Sequence, residues 1–147
     1  CQDNLTYDIW KSLGLKEVSP RQLSPLVLAY IGDSIFDLVV KTMIVTKGNT
    51  QVNKMNRVAS SIVKAESQSK MIGYLEDKLT EEEESVYKRG RNAKSYTSAK
   101  NASISDYRRA TGFEALMGYL YMSGRYERMC ELIKDALDYL ESERNSK

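Results

Sequence analysis

Two short stretches carry the residue types that could do chemistry. Tyr30-Ile31-Gly32-Asp33-Ser34 and Phe113-Glu114-Ala115-Leu116 each set one acidic residue inside a strongly apolar, helix-like segment. A carboxylate in such surroundings costs several kcal/mol unless it is paired or holds a metal. Asp33 directly follows Gly32, and a mid-helix glycine costs roughly 1 kcal/mol relative to alanine, so its presence points to close packing by another helix or by substrate. Asp37, one turn further on, can share the face of Asp33. Two carboxylates brought to one point by crossing helices can bind a hard cation, which would activate a water nucleophile and stabilise charge on a phosphate oxygen. Two plainer readings stand beside this one. Asp33 and Asp37 can lie on the single wet stripe of a helix, and Glu114 can be a helix-start glutamate favoured by the local dipole.

Composition narrows the chemistry. The 147 residues include no histidine and two cysteines, Cys1 and Cys130. A metal would therefore be held by carboxylate oxygens and water, which favours Mg²⁺ or Mn²⁺ over Zn²⁺. Every Ser-His or Cys-His nucleophile arrangement is excluded. Cys1 at a terminus and Cys130 in a helical pattern read as reduced thiols of a cytosolic protein rather than a disulfide scaffold. No apolar run is long enough to cross a membrane, and no signal segment opens the chain. The expectation is a cytoplasmic protein of one domain, residues 1–147, with its core over about residues 22–142.

Positive charge is concentrated. Residues 88–109 hold seven Lys/Arg and one Asp, a local balance of +6 in a chain whose net charge is +2. The best binding candidate is Lys88-Arg89-Gly90-Arg91-Asn92-Ala93-Lys94-Ser95-Tyr96. Guanidinium and ammonium groups suit phosphate oxygens, and Gly90 would let the backbone come close. Tyr96 and Tyr107 could add contacts to sugars or bases. Charge runs are most often solvated surface, but this one is of a single sign and is expected on a loop.

The elements that must position these groups read as helices. Leu5, Ile9, Trp10 and Leu13 recur at helical spacing, with Gly14 as a stop, and Pro20 and Pro25 bracket a connector. From Gln22, the apolar residues Leu23, Leu26, Val27, Tyr30, Ile31, Ile35, Leu38 and Val39 define a helix face, and Leu28, Phe36 and Val40 make the opposite face apolar too. Such a helix is expected to be central and buried, ending at Lys47-Gly48-Asn49. One helix is expected over residues 51–75, with Val52, Met55, Val58, Ile62, Ala65 and Ile72 inward. Thr80 and Glu83 form a capping box for a short helix ending near Gly90. Residues 91–105 are expected to be a loop, 106–122 a helix, and the segment after Gly124 a last helix burying Met129, Leu132, Ile133, Ala136, Leu137 and Leu140. Nothing reads as a strand, and the fold class is all-α.

At this point the sequence resembles the ribonuclease III family. The family's signature helix appears as Tyr30-Ile31-Gly32-Asp33-Ser34-Ile35-Phe36-Asp37-Leu38-Val39, and its second acidic element as Thr111-Gly112-Phe113-Glu114-Ala115-Leu116-Met117-Gly118. The likeness covers the chain from about Gln22. It is nearest to the compact branch without a separate double-stranded-RNA-binding domain, on Leu28-Ala29-Tyr30-Ile31-Gly32-Asp33, residues 88–94 and Tyr107-Arg108. The resemblance implies a homodimeric, Mg²⁺-dependent endonuclease (with Mn²⁺ able to substitute) that cuts double-stranded RNA to 5′-phosphate and 3′-hydroxyl ends. In the compact branch it implies maturation of the 23S ribosomal RNA precursor. Asp33 and Glu114 take the roles of catalytic, metal-binding carboxylates, while Arg89, Arg91, Lys94, Lys100 and Arg108 would dock the RNA backbone. Longer members carry a glutamate where this chain has Ala29 and an aspartate where it has Thr111, so two potential ligands are missing. The alternative is a catalytically inactive RNase III-like module that binds RNA or takes part in ribosome assembly.

Overall fold

The computed structural model describes residues 4–93 and 103–146. Seven α-helices follow one another: α1 Leu5–Ser12, α2 Pro25–Thr46, α3 Val52–Val63, α4 Ala65–Leu75, α5 Glu81–Asn92, α6 Ile104–Met122 and α7 Tyr126–Asn145. Short 3₁₀ turns at Pro20–Gln22 and Glu76–Lys78 complete the order, and no strand occurs among the described residues. Helix starts follow the local chemistry. Ser24 accepts from the Val27 amide with Pro25 at the first helical position, and Ser103 accepts from the Asp106 amide. Thr80 and Glu83 cap each other's backbone amides at 3.1 and 3.0 Å, so the expected capping box forms.

The core is organised by α2 crossing α6. Gly32 and Gly118 face each other there, and a Cβ on either would fall on the opposite helix's backbone: on the Glu114 carbonyl oxygen for Gly32, on the Leu28 carbonyl oxygen for Gly118. The Phe36 and Phe113 rings meet edge to face, 5.1 Å between centroids, at the same crossing. Gly90 and Gly112 repeat the device between α5 and α6, where a Cβ on Gly90 would stand 2.9 Å from the Gly112 Cα. Helix α4 closes another side of α6 with the fully buried Met71, Ile72 and Leu75, and α7 packs on α4 and α6 through Met129, Leu132, Ile133, Ala136 and Leu140.

Four expectations are corrected. Helix α6, not α2, is the element buried all round: from Ala110 to Tyr121 every side chain but Glu114 is buried. Helix α2 buries Leu28, Ala29, Phe36, Val40 and Ile44 but turns Val27, Tyr30, Leu38 and Val45 to the outside. The single helix expected over residues 51–75 is broken at Lys64, whose extended backbone (ψ 154°) separates α3 from α4. The freed carbonyls of α3 are taken by side chains of α4: Ser67 Oγ donates to Ser61 O at 2.6 Å and Gln68 Nε2 to Val63 O at 2.7 Å. Val52 and Val58 of α3 are exposed instead of inward. Finally, α5 runs to Asn92, so Arg89 and Arg91 sit on a helix, and Gly90 packs against α6 instead of opening toward a ligand.

Gly118→Ala is expected to separate α2 from α6, because backbone atoms cannot yield as a side-chain tip can. The overpacking cost of about 3 kcal/mol exceeds the roughly 1 kcal/mol of helix propensity gained, so Tm should fall by about 5 °C or more in a thermal melt.

Candidate active site

The crossing that Gly32 and Gly118 permit delivers the two acidic residues to one place. Asp33 follows Gly32 on α2, and Glu114, whose own carbonyl oxygen lies against Gly32, projects from the middle of α6. The Asp33 carboxyl is exposed and comes within hydrogen-bonding reach of Glu114, which is half-buried. The costly burial that sequence pattern assigns to both therefore applies to Glu114 alone. The dipole reading of Glu114 also falls, because it lies well past the first turn of α6. Asp37 pairs with Lys41 at 2.9 Å, one turn along α2.

The electrostatics of Glu114 stand out against those of Glu83, an equally informative buried glutamate. Glu83 is 2% exposed, yet Arg128 grips both its oxygens at 2.8 Å and the cap amide of Thr80 adds a third donor. These partners hold the Glu83 carboxyl below the usual range, led by the Arg128 hydrogen bond. Among the described residues no cationic side chain pairs with Glu114. Burial first, then the charge and hydrogen bond of Asp33, push its carboxyl up to about 8, against the pull of a hydrogen bond from Gln68. A pair of acids sharing one position, one of them inclined to keep its proton, is the arrangement that a divalent cation relieves.

The donor set fits a hard cation with a largely water-filled shell. Among the described residues no group of three or more His, Cys, Asp or Glu side chains converges to hold a metal. Ala29 is buried, and the buried Thr111 turns its hydroxyl back to Tyr107 O at 3.0 Å, so neither adds a ligand to the pair. Two carboxylates with remaining positions for water or phosphate suit Mg²⁺ better than a thiolate or imidazole metal.

The basic residues are placed less closely. Arg89 is exposed on α5, beside Glu81, Glu82 and Tyr119 in a surface hollow of about 380 Å³. Arg91, half-buried, lies over the Tyr87 ring at 5.6 Å and donates to Asn92 Oδ1 at 3.2 Å. Arg108 is exposed near the start of α6. These three occupy the helix ends flanking residues 94–102, and no hydrogen bond or ion pair among the described residues joins them to Asp33 or Glu114. Lys94, Tyr96 and Lys100 lie outside the described residues.

One residue escaped the sequence reading. Gln68 of α4 is buried and its Nε2 donates to Glu114 Oε2 at 3.2 Å. Its signal was available in the polar run Ser67-Gln68-Ser69, which sits on the inward face just before Met71 and Ile72.

With this geometry in view, comparison with known proteins is decisive. The Ribonuclease III domain family matches residues 26–125. The chain belongs to the ribonuclease III family. As a member it is an endoribonuclease. Mini-ribonuclease 3 from Clostridium tetani is 50% identical over 85% of this chain and 84% of the relative. Mini-ribonuclease 3 from Brevibacillus brevis is 46% identical over 84% of this chain and 92% of the relative. A crystal structure of a Fusobacterium nucleatum protein superposes with a TM-score of 0.73 at 26% identity, covering 80% of this chain and 90% of that one. The family thus agrees with the resemblance that the Asp33 and Glu114 motifs carry, and the solved structure with the all-α fold.

The raised Glu114 pKa has a sign that can be measured. Its folded value of about 8 lies above the unfolded carboxyl range, so its stabilising share is present below pH ~4 and is lost as pH rises through about 8. In metal-free buffer, Glu114→Gln should melt several degrees above the wild type at pH 8, and the two curves should converge toward pH 5.

Proposed function

We propose that this chain is a homodimeric, Mg²⁺-dependent endoribonuclease of the cytoplasm that cuts double-stranded RNA, with the 23S ribosomal RNA precursor as its substrate. The observation that carries the reading is the meeting of Asp33 and Glu114 at the α2–α6 crossing, where burial and the neighbouring acid raise the Glu114 carboxyl and no cationic side chain among the described residues pairs them. Residues 1–147 act in this reading as one catalytic domain, with its core over about residues 22–142. The Mini-ribonuclease 3 relatives support the substrate class, and the carboxylate pair supports the metal.

Asp33 and Glu114 would hold the cation, Mg²⁺ or Mn²⁺, between α2 and α6. When bound, the cation supplies a Lewis acid for the phosphodiester and a water of lowered pKa, which leads to 5′-phosphate and 3′-hydroxyl ends. To serve as a ligand Glu114 would have to be in its carboxylate form, which burial and Asp33 disfavour in the metal-free protein. Arg89, Arg91 and Arg108, with Lys94 and Lys100, would contact phosphates along the duplex. Backbone contacts read the shape of A-form RNA and carry little base information, so affinity should fall steeply with salt.

The dimer is supported by the outer face of α2. Val27, Tyr30, Leu38 and Val45 form one exposed apolar stripe along the helix that carries Asp33, with Tyr30 81% exposed. Stripes of this kind mark association surfaces, and a two-fold pairing through α2 would bring two catalytic sites into one assembly, as paired cuts in a duplex require.

Asp33→Asn and Glu114→Gln are each expected to lower Mg²⁺-dependent cleavage of a duplex precursor fragment by about a hundredfold or more while the circular dichroism spectrum is retained. If wild-type protein cleaves nothing with Mg²⁺ or Mn²⁺ yet binds the duplex, the inactive RNA-binding reading replaces this one. Leu38→Glu should shift the sedimentation coefficient from dimer to monomer; an unchanged coefficient would remove α2 from the interface.

A further inference from the structure

We infer that Gln68 is a positioning residue for Glu114: its buried amide, braced on the α3–α4 break, holds the Glu114 carboxylate in the rotation that faces Asp33 and a divalent cation. This rests on the metal reading of Asp33 and Glu114 given above, and goes beyond it in assigning a role to a residue of a third helix.

The geometry leaves the amide one orientation. Nε2 lies 2.7 Å from Val63 O and 3.2 Å from Glu114 Oε2. A backbone carbonyl can only accept, so the group beside it must be the NH₂ and not the carbonyl oxygen. Both hydrogens of that NH₂ are then committed, one to the end of α3 and one to the carboxylate. The other end of the amide pays for the arrangement: Gln68 Oε1 is buried and has no hydrogen-bond partner among the described residues. Leaving a buried acceptor unpaired is costly, and a residue retained only to close the end of α3 would need a donor without that acceptor.

The position of Gln68 explains why its donor is stiff. The extended Lys64 backbone breaks the helix, which releases the Val63 carbonyl from the ladder and turns it toward the first turn of α4. Gln68 is 1% exposed, and Ser67 ties the same junction through Ser61 O. The side-chain amide is therefore held from two sides, by Val63 O and by Glu114. Its hydrogen bond fixes Oε2 and with it the rotation of the Glu114 carboxyl. Supports of this kind around metal ligands typically change metal affinity by 10–100-fold.

Mn²⁺ binding without RNA, followed by the loss of the free-ion electron paramagnetic resonance signal, tests the inference without relying on turnover. Gln68→Met keeps the length and removes the donor; Gln68→Asn, one methylene shorter, serves should the methionine variant fail to fold. Ser67→Ala loosens the same α3–α4 junction without touching Glu114. Mn²⁺ should bind Gln68→Met about tenfold more weakly than wild type, with the KM for duplex RNA unchanged, while Ser67→Ala lowers Tm and leaves Mn²⁺ affinity at the wild-type value. Equal Mn²⁺ affinity in wild type and both Gln68 variants would overturn the positioning role, as would an equal loss in Ser67→Ala, which would make Gln68 a junction residue only. Wild type and Asp33→Asn act as the separate check on the metal reading: if neither binds Mn²⁺ or both bind it alike, that reading fails first, whatever Gln68 does.

Discussion

The close crossing of α2 and α6 is the constraint on which the rest depends. Two helices approach this near only where neither carries a side chain, and Gly32 and Gly118 supply the two bare positions. Their contact is backbone on backbone, so it sets the distance between the helices more rigidly than interlocking side chains would. Phe36 and Phe113 fill the space beside it, and Asp33 and Glu114 ride on the same two turns. The core and the candidate site are therefore one feature: the residue that permits the crossing precedes Asp33, and the carbonyl it touches is that of Glu114.

The electrostatics follow from what surrounds each acid, not from burial alone. Glu83 and Glu114 are both withdrawn from water, yet their carboxyls move in opposite directions. Arg128 and the cap amide satisfy Glu83, which becomes a strut between α5 and α7. Among the described residues Glu114 meets another acid and one neutral amide, and no cation offsets its charge. Opposite shifts in two buried glutamates thus trace to their partners, a cation for one and a second acid for the other. The neutral replacements Ala29 and Thr111 sharpen the same point. Each is buried, and neither adds a carboxylate to the pair.

Much of the fold was legible because local signals and tertiary context agree. The capping box at Thr80 and Glu83, the stop at Lys47-Gly48 and the apolar period of α7 all rest on interactions within one or two turns. Legibility failed where a long-range partner decides. Residues 51–75 have a continuous helical composition, and no local signal marks Lys64; the break is held by Ser67 and Gln68 reaching back to α3 carbonyls. Helix α2 is apolar on nearly all sides, which in isolation reads as full burial. An exposed apolar face has the same composition as a core face, so sequence could not separate Tyr30 and Leu38 from Phe36 and Val40.

By itself the sequence determined the helical class, the family and the identity of the two acids, because those depend on residue types at short, regular spacing. Asp33 beside Gly32 and Glu114 beside Phe113 are readable as motifs without any coordinate. Only the tertiary structure decided that these acids meet, that Glu114 and not Asp33 bears the cost of burial, and that Gln68 holds it. The physical reason is that hydrogen bonds and Coulomb interactions act over a few ångströms, while Asp33, Gln68 and Glu114 stand on three helices far apart in the chain. Their distances exist only after the backbones of α2 and α6 have closed on each other at two glycines.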